Sequence, residues 1–390
     1  MRKELPVPER PRLGGLQAGL IALAAMLPSR AAAAAWEDHD WALTGNAAAL
    51  FGYDSNLFAV SDGPSDSFMT FTPSLTLARK DTLTGLGADA WASWTGFARE
   101  TGSDSFDPGV RLWLAYPENT GAITTQQAEI HWERITDVNV DVGQRVSQND
   151  ALAKYQGDLF DAAKTDLSGR VSVEQDAFLG SEFTTITTGS AGATLSYSPD
   201  DLTRSGLGYD VTFGRSQPNS PGPSLDREEH AFTFQALGEF TPKLTGSLSV
   251  GGAYSSYSGA FSHSEWDAVA NVDLTWEPWE KLYLDMKAVR EPSFNADGNV
   301  DVNSRLELLV RQELTGGFAV HVDANVGHAD HEVIVTYRSD DTEGGGAGLE
   351  YNLTGRLVVS ANYEFTRQDS DVPLFTYTRH VATARLTLKF

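Results

Sequence analysis

The stretch Tyr377-Thr378-Arg379-His380-Val381-Ala382-Thr383-Ala384-Arg385-Leu386-Thr387-Leu388-Lys389-Phe390 decides the fold. Ala382, Ala384, Leu386, Leu388 and Phe390 share one parity, while Arg379, Thr383, Arg385, Thr387 and Lys389 share the other. A period of two is the signature of a β-strand, whose successive side chains point to opposite faces. One face of this strand suits an apolar surround and the other suits water.

The same unit recurs along the chain. Met69, Phe71, Leu75 and Leu77 alternate, as do Leu207, Tyr209, Val211 and Phe213, then Trp266, Ala268, Ala270, Val272, Leu274 and Trp276, then Val320, Val322, Ala324 and Val326. The repeat is roughly twenty residues, longer than the spacing of strands in a soluble sandwich and matched to a tilted membrane-spanning strand plus its connection. Charged residues fill the intervening positions, among them Asp89, Glu129, Asp267 and Asp323. A many-stranded sandwich would also contain central strands buried on both faces, which read as continuous apolar runs; none is seen. The pattern predicts an all-β fold, a transmembrane antiparallel up-and-down β-barrel of the bacterial outer membrane with about eighteen strands. It must close, because lipid offers no partner to an edge strand. Val138, Val140 and Val142 continue the phase of Trp132. That strand either projects far above the membrane or hides a further hairpin, which makes sixteen and twenty strands the alternatives.

Composition agrees with an exported barrel. The 390 residues include no cysteine, which excludes disulfides, thiolate metal sites and cysteine nucleophiles. A formal charge of -24 argues against nucleic acid as a partner. Mean hydropathy is only -0.28, as expected when every second residue of a strand faces water. Arg2, Lys3, Arg10 and Arg12 precede an apolar run from Leu13 to Leu27 and the small-residue tract Ala31 to Ala35. This is the layout of a secretory signal peptide. Residues 1–35 are therefore expected to be a signal peptide for Sec-type export, and 36–390 the barrel.

Short, turn-rich connections such as Thr241 to Lys243 and Pro278 to Lys281 alternate with longer polar ones such as Asn56 to Ser65, Gly102 to Pro108, Ser216 to Asp226 and Pro292 to Val300. Short turns on one side and long loops on the other are the outer-membrane arrangement. Aromatic residues sort by height, with Tyr116, Tyr197, Phe240, Trp276 and Phe390 toward the turns and Tyr53, Trp94, Trp132, Phe213 and Phe365 toward the loops. A final strand ending in Phe resembles the terminal strand of bacterial outer-membrane barrel proteins, where it is an assembly signal. That resemblance gives Phe390 this role and implies the barrel assembly machinery as a partner, alongside outer-membrane lipids and lipopolysaccharide.

At the first long loop the chain reads Gly52-Tyr53-Asp54-Ser55-Asn56-Leu57-Phe58, followed by Asp66 and the strand Thr72-Pro73-Ser74-Leu75. This resembles the opening of the putative β-barrel porin 2 family, whose first hairpin carries a Tyr-Asp-x-Asn-x-Phe element; here its residues are Tyr53, Asp54, Asn56 and Phe58. The resemblance implies an outer-membrane barrel. Some relatives act with a periplasmic polysaccharide-export protein in exopolysaccharide secretion, so such a protein is the implied partner. On chemistry alone, Asp54 and Asn56 suit a strand tip, where their side chains bond local backbone.

Arg111, Arg170, Lys287, Arg305, Arg311, Arg379, Arg385 and Lys389 are expected to line the lumen beside Asp210, Asp273, Asp285 and Glu307. Mixed charge of this density suits a water-filled or polar-plugged interior. Arg379, Arg385 and Lys389 on one strand form either a basic wall that guides an anionic chain or a structural ladder of salt bridges. No nucleophile elbow, P-loop or dinucleotide fingerprint occurs. His328, Asp330, His331 and Glu332 are the residues a rim enzyme or metal site would use, although polar residues at a loop entry are expected without chemistry. The expectation is a non-enzyme with no cofactor, metal or catalytic residue. It would be a passage for hydrophilic material, exopolysaccharide by the family resemblance, with a diffusion porin as the alternative.

Overall fold

The computed structural model describes residues 36–37, 40–79, 84–116, 126–140, 142–162, 164–200, 202–260, 262–332 and 337–390. The proposed signal peptide lies outside them. Eighteen long strands follow one another: β1 (Trp41–Asp54), β2 (Asp66–Arg79), β3 (Gly85–Phe97), β4 (Ser105–Tyr116), β5 (Gln126–Asn139), β6 (Gln144–Ala162), β7 (Thr165–Phe178), β8 (Thr184–Tyr197) and β9 (Thr203–Pro218). The second half is β10 (Leu225–Thr241), β11 (Leu244–Gly259), β12 (His263–Trp279), β13 (Leu282–Phe294), β14 (Val300–Glu313), β15 (Phe318–Glu332), β16 (Tyr337–Asn352), β17 (Leu357–Ser370) and β18 (Tyr377–Lys389). Each pairs antiparallel with its neighbour in sequence. A two-residue stretch, Trp36–Glu37, folds back on Ala42 and Leu43.

The barrel closes between β18 and β1, in a register that runs from Val381 opposite Asp54 to Lys389 opposite Asn46. The Phe390 and Gly45 backbones complete the seam, each N–H donating to the other's carbonyl at 2.8 and 2.7 Å. The Phe390 ring lies over Gly45, where a β-carbon would overlap it. Glycine at this position is what lets the aromatic ring settle against the seam.

The alternation read from the sequence appears as exposure. Leu207, Val322 and Trp266 are 70%, 59% and 70% exposed. Large apolar side chains on one parity around a whole ring are untenable in water but correct in lipid. Tyr53, Trp94, Trp132 and Phe213 are exposed toward the loop rim, and Tyr116, Tyr197, Phe240 and Trp276 toward the turn rim. Among the described residues no helix is long and apolar enough to cross a membrane.

The long strands redraw two expectations. β5 ends at Asn139 and β6 starts at Gln144, so Val138 closes a strand, Val140 and Val142 fall between the two strands, and no extra hairpin intervenes. The count is eighteen. Several loops read as long are shorter, because β9 runs on to Pro218 and β13 to Phe294. Strands of 12 to 19 residues exceed the ~9–11 that cross the bilayer. The excess carries polar strand ends above the apolar band at the loop rim. At the turn rim, tight connections such as Thr315–Gly317 place Gly316 and Gly317 at φ of 76° and 83°, which only glycine adopts freely.

Candidate functional site, the lumen and its mouth

The parity opposite the apolar band carries a network of ion pairs. Arg111 Nη2 lies 2.7 Å from Asp89, Arg170 Nη2 2.5 Å from Asp210, and Arg305 Nε 2.6 Å from Glu307. Lys287 Nζ stands 3.8 Å from Asp273, Arg311 stands 3.9 Å from Glu313, and Thr275 donates to Asp285 at 2.6 Å. Asp273, Asp285, Lys287, Arg305 and Glu307 border one cavity of about 960 Å³, against the wall from β12 to β18. Solvated pairs of this kind contribute at most about 1 kcal/mol each, so their effect is on the field inside rather than on stability.

The three basic residues of β18 part company. Arg379 makes a fork to Asp54 across the seam, with Nε at 3.0 Å and Nη2 at 2.6 Å from Oδ2. Lys389 borders a recess with Asn46, Arg356 and Phe390 at the opposite end. Arg385 lies between them, opposite Leu50 on β1 and Ser360 on β17.

Of the first-loop element, Tyr53 is exposed while Asp54 and Asn56 are buried. Asp54 also accepts the Asn56 N–H at 2.9 Å, and the Asn56 amide donates to the Val60 carbonyl at 2.7 Å. Phe58 follows in the loop itself. Asp66, buried at the start of β2, accepts the backbone N–H groups of Arg99 and Glu100 at 2.9 and 2.8 Å. Two carboxylates thus fix the ends of the first hairpin, Asp54 to β18 and Asp66 to the β3–β4 connection.

Sequence reasoning missed the packing of the mouth. Ala296, in the β13–β14 loop, is buried with Phe183 from the β7–β8 loop and Val146 from the start of β6, and Val142 and Phe178 pack on them. Thr184 donates its N–H and its hydroxyl to the Ala296 carbonyl at 3.2 and 2.9 Å. Strand ends six to eight positions apart in the ring of eighteen are therefore joined across the loop rim. A second apolar group, Leu225, Tyr257 and Val300 with Phe294, anchors the base of the same loop. Arg227 donates to the Pro292 carbonyl at 3.0 Å beside it. On the other flank the Ser61 N–H donates to the Leu374 carbonyl at 2.9 Å, and Val60 presses on Gly143.

Strand alternation separates the histidines of the 328–332 run. His328 sits with Asp330 and Asp341 on the exposed parity, at 3.3 and 2.8 Å. His331 is buried on the other, its Nδ1 2.8 Å from Asp301 and its Nε2 3.1 Å from Asp340. Arg338 and Gln368 complete that buried set, both reaching Asp340 Oδ2. Neighbours in sequence thus serve two different surfaces. Two other groups, His131 with Glu133 and Asp150, and Asp150 with Glu174 and Asp176, have ligand atoms close enough to share a cation. A polar wall also accommodates such crowding through water.

Nor were Trp91 and Trp113 singled out from the sequence. The signal was present: both occupy the parity that in β3 and β4 otherwise carries Asp89 and Arg111.

These features define a porin-like outer-membrane β-barrel channel. Two solved structures share the fold: the FrpB iron transporter from Neisseria meningitidis, F5-1 variant, and Pseudomonas aeruginosa OccK2 (OpdF). The first matches at TM-score 0.51 and 9% identity, over 87% of this chain and 65% of its own. The second matches at 0.50 and 11%, over 90% and 98%. The chain thus spans less than two thirds of the transporter's length. The family resemblance read at the first loop is borne out by a match to the Putative beta-barrel porin 2 family model over residues 236–390, from β10 through β18. The Tyr53 to Phe58 element lies outside that segment. No curated protein matches the chain.

Proposed function

We propose that the barrel is a gated passage for hydrophilic material across the outer membrane, with exopolysaccharide as cargo and a periplasmic export protein as partner. The observation that carries the gating is the joining of loops across the mouth through Ala296, Phe183 and Val146. Such contacts must part before a polymer leaves, which suits a passage opened by a partner. The paired charges of the wall support a hydrated lumen. The cargo and the partner follow from the family resemblance. A diffusion porin is the second reading, favoured by the cavity of about 960 Å³ on the β12 to β18 wall. In either case the surroundings are outer-membrane lipid and lipopolysaccharide, reached after Sec-type export.

Single-channel recording of the refolded barrel in a planar bilayer tests the gating. The expected trace is silent or briefly flickering, and steady ohmic conductance would replace the gated passage by the diffusion porin. Cells lacking the chain are expected to lose surface polysaccharide. Undiminished polysaccharide in those cells would remove the cargo from the proposal.

A further inference from the structure

The inner wall of β3 and β4 carries a three-rung ladder. Gly87 faces Trp113, Asp89 faces Arg111, and Trp91 faces Gly109. Each indole lies across the glycine opposite it, where a β-carbon would overlap the ring. Both rings therefore lie close against the wall, on the parity that faces the lumen, and both remain partly exposed. Four residues of strand separate the outer rungs, about 13 Å at strand rise. The ion pair between them is hydrogen-bonded, with Arg111 Nε 2.8 Å from Asp89, whose other oxygen accepts the Thr76 hydroxyl at 2.7 Å. Trp91, Asp89 and Arg111 border a recess of about 460 Å³ with Glu129, His131 and Glu133 from β5.

We propose that this ladder is a carbohydrate subsite, binding a run of neutral pyranose units as it passes. The proposal rests on the polysaccharide reading above and deepens it. A pyranose ring has an apolar C–H face that stacks on an indole and a rim of hydroxyl groups that need donors and acceptors. The two tryptophans supply platforms in line, and the carboxylate and guanidinium between them supply both kinds of polar partner. Fixed rings lose little freedom on binding. Asp89, Glu129 and Glu133 outnumber Arg111 and Lys154, which stands 3.3 Å from Glu129, and this balance disfavours an anionic chain. The rings share one wall and do not converge, so they cannot cage a cation as aromatic boxes do.

Tryptophan fluorescence of the full barrel refolded in detergent, titrated with maltohexaose, tests the subsite. Saturable quenching is expected. It should weaken about tenfold in Trp91→Ala and in Trp113→Ala and stay unchanged in Trp266→Phe on the lipid face. Gly109→Ala, which lifts the Trp91 ring off the wall, should weaken binding while keeping the tryptophan, and Trp91→Phe should restore most of it. Each variant is first shown to be folded by its gel mobility before and after boiling. No saturable quenching of the wild type, equal affinity in a folded Trp91→Ala/Trp113→Ala double variant, or tighter binding of spermidine or a hyaluronan oligosaccharide would overturn the proposal. Cells that export polysaccharide through a barrel without maltohexaose binding would lose the subsite and keep the passage. Binding by a barrel whose removal leaves export intact would do the reverse.

Discussion

The two rims of the barrel are held together by different means. At the loop rim, buried side chains from distant parts of the chain meet: Asp54 with Arg379, His331 with Asp301 and Asp340, and Ala296 with Phe183. At the turn rim, connections close on their own backbone, as where Leu314 N–H donates to the Phe318 carbonyl at 2.7 Å and Leu353 N–H to the Leu357 carbonyl at 3.0 Å, and side-chain ties join nearby strands, as from Arg204 to the buried Asp166 at 3.3 Å and from Lys243 to the Pro278 carbonyl at 2.5 Å. A barrel wall between lipid and water has no central core. The packing that a globular protein places at its centre is here moved to one end.

The difference can be broken by substitution. Asp54→Ala removes the carboxylate at the top of the seam and leaves Arg379 and the Asn56 N–H without their acceptor. Losing one partner of a buried pair costs 3 to 5 kcal/mol, and the partly exposed Arg379 places this case at about 3 kcal/mol. Urea unfolding of the barrel in micelles reads it, and a midpoint within error of the wild type would show the loop rim to be as loosely tied as the turns.

Gly45→Ala tests the other end of the same seam, because the new methyl group meets the Phe390 ring. Overpacking of this kind costs about 1–2 kcal/mol, less than the pair at the loop rim. A loss larger than that of Asp54→Ala would reverse the ranking of the rims. Ala296→Glu puts a charge between Phe183 and Val146, so the loop must leave the cluster to hydrate it, and the expected result is a longer single-channel open time. Unchanged open time would mean that the contact does not gate the mouth.

The smallest effect belongs to the turn rim. Asp200 accepts the Leu202 and Thr203 N–H groups and the Thr203 hydroxyl at 3.0, 2.7 and 2.8 Å, which hold its carboxyl below the usual aspartate range. Its contribution is present above the unfolded-state aspartate pKa of about 3.9 and is lost as pH falls through the lowered folded value. The stability gap between wild type and Asp200→Ala should therefore be small at neutral pH and vanish in acid. A gap that widens on acidification would contradict the bonding seen in this turn.

The wall was legible in the sequence because lipid imposes its pattern residue by residue: Leu207, Val322 and Trp266 announce their face wherever they stand. The strand count needed only the phase of the valines after Trp132 to be resolved by a turn. The mouth was not legible, because Ala296 and Phe183 lie in loops that carry no period and meet Val146 at a strand end. His328 and His331 look like one cluster in a row of letters and lie on two faces in a strand. Trp91 and Trp113 were readable in principle, as large aromatic residues in polar phase, but a pattern sought for its apolar face passes over them.

The seam between β18 and β1 also governs how the chain can assemble. Every other strand pairing joins neighbours in sequence and can form as a hairpin, whereas this one joins residues more than 300 positions apart. Its loop-closure entropy is the largest in the molecule and is met by one ladder, the Asp54–Arg379 ion pair and the Ser55 hydroxyl that accepts the His380 N–H. Until those form, the sheet is a ribbon with two bare edges, each able to pair with another copy. Weakening the seam should therefore show first in yield, as misassembled material, before it shows in the properties of barrels that have closed.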